Sequence, residues 1–271
     1  MKTIILLCTL LFSLNAQTFK GYILDSDTKE IIPYASVGIF SRQIGTLSND
    51  SGYFELKLTT EILNDSIEIL AIGYEPIKLL LKKMNDADTI WLTQSENALS
   101  EVTVSGQKLY SKKIGEKSFS NDNCSGFVSS NENWIGSETA VKFENSKQKL
   151  YYLKNLEFYI IKNLYVDSIR FRINIYSSST YYPASNMLTK PIYLKTNIKS
   201  GIVNVPLTEY NIKAYDSFYI SIECLEKNMD IKKFCFAGNY NTPAYIREHR
   251  FKKWRKVKGG GAMMILTVYH L

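Results

Sequence analysis

Asn49-Asp50-Ser51-Gly52-Tyr53-Phe54-Glu55-Leu56-Lys57-Leu58 is a turn followed by a strand. Asn, Asp and Gly tolerate the backbone angles of a tight turn. Phe54, Leu56 and Leu58 then alternate with polar residues, which puts them on one face of a half-buried strand. The pattern continues outward on both sides. Upstream, Pro33-Tyr-Ala-Ser-Val-Gly-Ile-Phe40 turns Ala35, Val37 and Ile39 inward, and Ile44-Gly-Thr46 leads into the turn. Further upstream, Phe19-Lys-Gly-Tyr-Ile-Leu-Asp25 stops in the polar turn Asp25-Ser-Asp-Thr-Lys29. Downstream, Asp65-Ser-Ile-Glu-Ile-Leu-Ala-Ile72 ends at Gly73-Tyr74, and 77–81 and 89–92 supply two more strands. Short strands at this spacing, with almost no helical period, predict a β-sandwich over 17–94.

Composition agrees. The chain holds 19 Tyr and 13 Phe, residue types that fit pleated, half-buried surfaces. Its formal net charge is +7, a mild basic excess that favours acidic surfaces only weakly. Residues 1–16 read as a signal peptide: Lys2 precedes an apolar run over 4–14, and Asn15-Ala16 offers a small residue for cleavage. The run is too short to span a bilayer. Cys8 sits inside it and leaves with it, so no lipid anchor is expected. An exported protein in the periplasm or at the cell surface is expected. Cys124, Cys224 and Cys235 remain, which permits one disulfide in an oxidising compartment. Cys224 and Cys235 lie on neighbouring expected strands and are the more plausible pair. Three reduced, buried cysteines are nonetheless the leading expectation, since Cys235 falls opposite Phe234 and Phe236 and that does not help the pairing.

The run Gly21-Tyr-Ile-Leu-Asp25, Pro33-Tyr-Ala35-Ser-Val37, Gly45-Thr46-Leu-Ser48-Asn49-Asp50-Ser-Gly52-Tyr-Phe54 and Ile69-Leu-Ala-Ile-Gly73-Tyr74 resembles the carboxypeptidase regulatory-like domain. The resemblance implies a seven-stranded-type, prealbumin/Ig-like β-sandwich of the kind common in exported Bacteroidetes proteins. It implies no peptidase activity. The quoted residues have turn and packing roles, and the same chemistry explains Asp25, Asp27, Asn49 and Asp50 better than a calcium site does. The polar stretch 95–120 reads as a linker with one short strand at 98–105. In TonB-dependent receptors such a segment leads to a plug and barrel. The residues that follow here are too few for that barrel.

Residues 121–271 read as a second antiparallel, jelly-roll-like sandwich. Ile169-Arg-Phe-Arg-Ile-Asn-Ile175 alternates cleanly, with Arg170, Arg172 and Asn174 on the face opposite the aliphatics. Arg170 and Arg172 could read an acidic ligand, but such a face is more often solvated, and that is the expectation. Strands are also expected at 151–161, 201–207, 218–224, 234–236 and 263–269.

The basic stretch Arg247-Glu-His-Arg-Phe-Lys-Lys-Trp-Arg-Lys-Val-Lys258 precedes Gly259-Gly260-Gly261. Arg250, Lys252, Lys253, Trp254, Arg255 and Lys256 are the candidate ligand-binding residues, since cations beside a planar aromatic can hold an anionic polymer. The alternative is a hairpin with aromatics inward, charges outward and the glycines in its turn. No metal-binding spacing and no nucleophile motif accompanies His249 and His270, so no enzyme, metal or cofactor is expected. The expected function is a binding or interaction module for an envelope polysaccharide or a protein partner, not nucleic acid. A purely structural envelope component is the second reading and a carbohydrate-active hydrolase the third. Trp134, Tyr181, Tyr182 and Trp254 exposed around a groove would favour binding. Two facing carboxylates roughly 5–9 Å apart in a cleft would be needed for the hydrolase.

Overall fold

In the computed structural model, seven strands of the first domain form two sheets packed face to face. The structure describes residues 16–59, 62, 64–83, 88–96, 109–118, 120–128, 134–227, 229–230 and 232–270. The signal-peptide reading, with Cys8, falls almost wholly outside them, and so does the 98–105 segment. One sheet joins β4 (Tyr53–Thr59), β1 (Ala16–Asp25) and β7 (Asp88–Leu92), with β1 and β7 parallel. The other joins β3 (Ile44–Leu47), β2 (Ser36–Ile39), β5 (Ser66–Leu70) and β6 (Ile77–Leu80). The inward residues Phe54, Leu56, Leu58, Val37, Ile39, Ile67 and Ile69 meet in one core.

Turn chemistry fixes the ends of these strands. Asn49 Oδ1 accepts from the backbone N–H of Ser51 and Tyr53, which holds the turn before β4. Buried Asp25 accepts from the N–H of Asp27 and Thr28, from the Tyr74 hydroxyl and from the Gln94 side-chain amide Nε2. One carboxylate therefore ties the first turn to the loop after β5 and to the chain beyond β7. The Gln94 hydrogen bond, followed by the Thr28 N–H, holds that carboxyl well below the usual range.

The second domain is one continuous antiparallel network that folds over on itself as a sandwich. Its strand order is β13-β12-β17-β10-β18-β11-β20-β8, with five more strands attached. These are β8 (Tyr110–Gly115), β10 (Glu138–Phe143), β11 (Tyr151–Asn163), β12 (Ile169–Ser178), β13 (Pro183–Asn186), β17 (Phe218–Cys224), β18 (Phe234–Arg247) and β20 (Met264–His270). The attached strands are β9 (Ser120–Ser125), β14 (Ile192–Thr196), β15 (Gly201–Pro206), β16 (Lys213–Ala214) and β19 (Arg255–Ala262). Long β11 and β18 change partners along their length at register shifts, so the network bends around its core. Phe158, Phe171, Ile173, Phe218, Ile220, Phe236 and Leu266 fill that core.

Three expectations are corrected. The disulfide joins Cys124 to Cys235, with Cα atoms 5.5 Å apart, and Cys224 is a buried free thiol. Cys224 shares the core face of β17 with Ile220 and Ile222, whereas Cys235 alternates against the core residues Phe234 and Phe236. Side chains on unlike faces do not meet, while β9 lies beside β18 and presents Cys124 to it. Secondly, Gly259, Gly260 and Gly261 lie in β19, and the hairpin turn is 248–254. Thirdly, the Arg170/Arg172 face is solvated only at its edge: Arg172 is buried against the Tyr34 carbonyl of the first domain, while Arg170 stays partly exposed. Among the described residues no helix is long and apolar enough to cross a membrane.

Candidate functional site

Four strands of the second domain lie side by side in the order β12, β17, β10, β18. Their registers set Arg172 opposite Glu223, Glu223 opposite Glu138, and Glu138 opposite Arg247. Period-2 alternation thus builds one row of charges across the sheet, with two carboxylates in the middle and a guanidinium at each end. All four side chains are buried.

The row is tightly bonded. Arg172 donates from Nε and Nη2 to the two Glu223 oxygens at 2.7 and 2.9 Å. Its Nη1 donates to the Tyr34 carbonyl of the first domain at 2.7 Å. Arg247 donates from Nε and Nη2 to Glu138 Oε1. Glu138 Oε2 also accepts from Ser221 at 2.6 Å and Tyr176 at 3.0 Å. Asn174 Nδ2 bridges the carboxylates, at 3.2 Å to Glu138 and 2.8 Å to Glu223. Asn186 in turn donates to Asn174 Oδ1 at 3.1 Å.

Neighbouring buried carboxylates cannot ionise independently. Burial opposes the charge on Glu138, but the Arg247 charge and the Ser221 and Arg247 hydrogen bonds outweigh it and hold the carboxyl low. Burial pushes Glu223 up. Arg172 pulls against that rise and the Glu138 charge adds to it.

Beside this row a cleft of about 730 Å³ opens between the domains. The first domain contributes a wall of Ile72, Tyr74, Pro76 and Gln94. The second contributes Asn174, Tyr176, Asn186, Lys190 and Arg250 together with Arg172 and Glu223. The loop 248–254 is fixed against the first domain by Phe251, which is 2% exposed and packs in a tilted arrangement with its ring centroid 4.7 Å from that of Phe40. Gly38 and Gly45 make that contact possible, since a Cβ at either would strike the Phe251 ring.

The candidate residues of the basic stretch separate. Arg250 lines the cleft. Lys252 and Trp254 are half-buried, and Trp254 packs 5.7 Å from Tyr176 with the Arg247 guanidinium 4.3 Å from its ring. Lys253, Arg255 and Lys256 are exposed, Arg255 and Lys256 on β19. Of the four aromatics set out as a discriminator, Trp134 packs on the core and Tyr181 and Tyr182 are exposed. None of them lines the cleft. The sequence reading missed Glu138, Glu223, Asn186 and Lys190. The alternation of Tyr219, Ser221 and Glu223 against Ile220 and Ile222 was a usable signal for Glu223.

Residues 19–104 match the family model of the CarboxypepD_reg-like domain. The chain carries a carboxypeptidase regulatory-like domain. That domain supplies the first wall of the cleft and the Tyr34 carbonyl that caps Arg172, while every member of the charge row lies beyond the match. No curated protein matches the chain. Among solved structures it is similar to one titled "Structure of infectious bursal disease virus Gt strain", at 10% identity and a TM-score of 0.29. The alignment covers 96% of this chain and 56% of that one, so the chain spans about half its length. A likeness at that score carries no argument.

Proposed function

We propose that this protein is a non-catalytic, exported binding module whose ligand seat is the cleft between its two domains, and that the ligand is an envelope glycan. The observation that carries the reading is the cleft itself. It is concave, it lies at a domain interface, and side chains already locked by hydrogen bonds form its polar wall. Ligand sites favour such places. Asn174 and Asn186 are bonded to each other, so little freedom remains to lose on binding. The Cys124–Cys235 disulfide supports an oxidising, non-cytoplasmic compartment, in the periplasm or at the cell surface.

The facing carboxylates do not favour hydrolysis. A glycosidase needs one free carboxylate and one acid directed at the sugar. Here Arg247, Ser221, Tyr176 and Asn174 occupy Glu138, and Arg172 and Asn174 occupy Glu223.

Retention on an envelope polysaccharide and lipopolysaccharide fraction tests the reading. The wild-type protein is compared with Ser185→Trp, which fills the cleft from an exposed position, and with a Lys253→Glu, Arg255→Glu, Lys256→Glu variant. Retention that survives in the surface variant and fails in Ser185→Trp is expected. Retention lost only by the surface variant would move the site to β19. No retention by any of the proteins would sink the glycan reading and turn the search to protein partners crosslinked in the native envelope.

A further inference from the structure

The buried charges of the row cancel in pairs, Arg172 against Glu223 and Arg247 against Glu138. Two cations of the cleft lining are left over. Arg250 and Lys190 both line it, and among the described residues no carboxylate forms an ion pair with either. Glu223 is the sole acid among the described lining residues, and Arg172 neutralises it. The cleft therefore carries unbalanced positive charge.

Arg250 is also held in place before any ligand arrives. Its neighbour Phe251 is wedged against Phe40 of the first domain. Its own carbonyl accepts from Arg247 Nη1 at 3.4 Å, and its guanidinium carbon lies 5.7 Å from the centre of the Tyr176 ring. A guanidinium fork matches the two oxygens of a carboxylate or phosphate. Fixing it beforehand lowers the entropy lost on binding. Around it, Asn186, Ser185 and Gln94 offer polar groups to hydroxyls.

We infer that the glycan unit in the cleft is acidic, and that Arg250 and Lys190 hold its oxyanion, a uronate carboxylate or a sugar phosphate. This rests on the cleft being the ligand seat. Calorimetric titration of the full chain with glucuronate, glucose phosphate and glucose separates the two statements. One of the anions is expected to bind at least roughly tenfold tighter than glucose, a difference of about 1.4 kcal/mol. Which anion wins identifies the oxyanion. Arg250→Gln should abolish that preference, while Arg255→Gln, which removes the same charge from exposed β19, should keep it. Circular dichroism melts verify that both variants fold. If glucose binds as tightly as both anions and Arg250→Gln changes nothing, the acidic ligand is refuted and the cleft reading stands. If Arg255→Gln loses as much as Arg250→Gln, the anion sits on the outer strand and the inference is overturned. If none of the three sugars binds, both statements fall.

Discussion

Two patches where the first domain meets the second achieve burial in opposite ways. In one, Tyr34 and Leu47 of the first domain pack with Ile135 and Leu225 of the second, and Phe251 rests beside Phe40. In the other, the sheet presents Arg172, Glu223, Glu138 and Arg247, and Arg172 reaches across to the Tyr34 carbonyl. The apolar patch gains about 25 cal/mol for each Å² removed from water and makes few demands on direction. The charged patch gains little net, because desolvation offsets most of the Coulomb attraction. What it adds is a penalty for misalignment, since any shift strands a buried charge. Adhesion belongs to the first patch and register to the second.

Removing one charge breaks this comparison most severely. Arg247→Ala leaves Glu138 buried without its ion-pair partner and should cost about 3–5 kcal/mol of stability, read by urea unfolding. Replacing both partners, as Glu138→Gln with Arg247→Met, should cost at least about 1 kcal/mol less than the two single changes combined. Strict additivity of the two would mean that the pair is not coupled, and the alignment role would be lost.

The two patches were also unequally legible in the sequence. The strands of the first domain announce themselves because their causes are local: Asn49 and Asp25 bond to backbone a few residues away. The alternation of Arg170, Arg172 and Asn174 was equally plain, but its meaning was not. A polar face normally meets water. Here the neutralising partners, Glu223 for Arg172 and Glu226 and Asp50 for Arg170, lie far along the chain, and no local pattern joins them. The same holds for Phe251. Within a basic run it reads as one aromatic among cations, and only the approach of Gly38 and Gly45 shows why it is buried. The cleft is still less legible, because the strands β12, β13 and β17 and the loops that form its walls are separated in sequence and belong to both domains. Of its lining residues the sequence singled out Arg172 and Asn174, as a polar strand face, and Arg250, within the basic run.

His249 sharpens the comparison from the apolar side. It is half-buried beside Phe251, and among the described residues its Nδ1 has no hydrogen-bond partner. Burial first, and the Lys252 charge second, bring its pKa down to about 4 from 6.5. The unfolded chain therefore takes up a proton near pH 6.5 that the folded chain refuses until about pH 4. Unfolding binds protons across that window, so stability falls as pH drops through it, by at most about 2 kcal/mol after allowing for partial solvent access. Glu138 and Asp25, both held low, keep their contributions until the pH falls below their ordinary range. Glu223, held high, works in the opposite sense, but it does so in wild type and variant alike. Stability measured from pH 7 to 5 should thus decline less in His249→Gln than in wild type. Parallel curves would show that the patch tolerates a charge and is not the dry contact described above.

The smallest expected effect lies at the edge of the charged patch. Arg170 and Arg172 are two residues apart on one face of β12, and both reach ionic partners. Their exposure separates them: the Arg170 side chain is 38% exposed and the Arg172 side chain 7%. Arg170 pairs across the domain seam with Asp50 at 3.1 Å and within its own domain with Glu226 at 3.0 Å. Asp50→Ala removes only the first of these, at a site where water screens both partners, and should cost less than about 1 kcal/mol. That cost should vanish in about 1 M salt, where charges are screened within roughly 3 Å. A loss near that of Arg247→Ala, insensitive to salt, would mean that the seam excludes water out to its rim. The alignment role would then extend along the whole polar face of β12. A small, salt-sensitive loss confines it to the row of Arg172, Glu223, Glu138 and Arg247, where burial makes each charge depend on its neighbour.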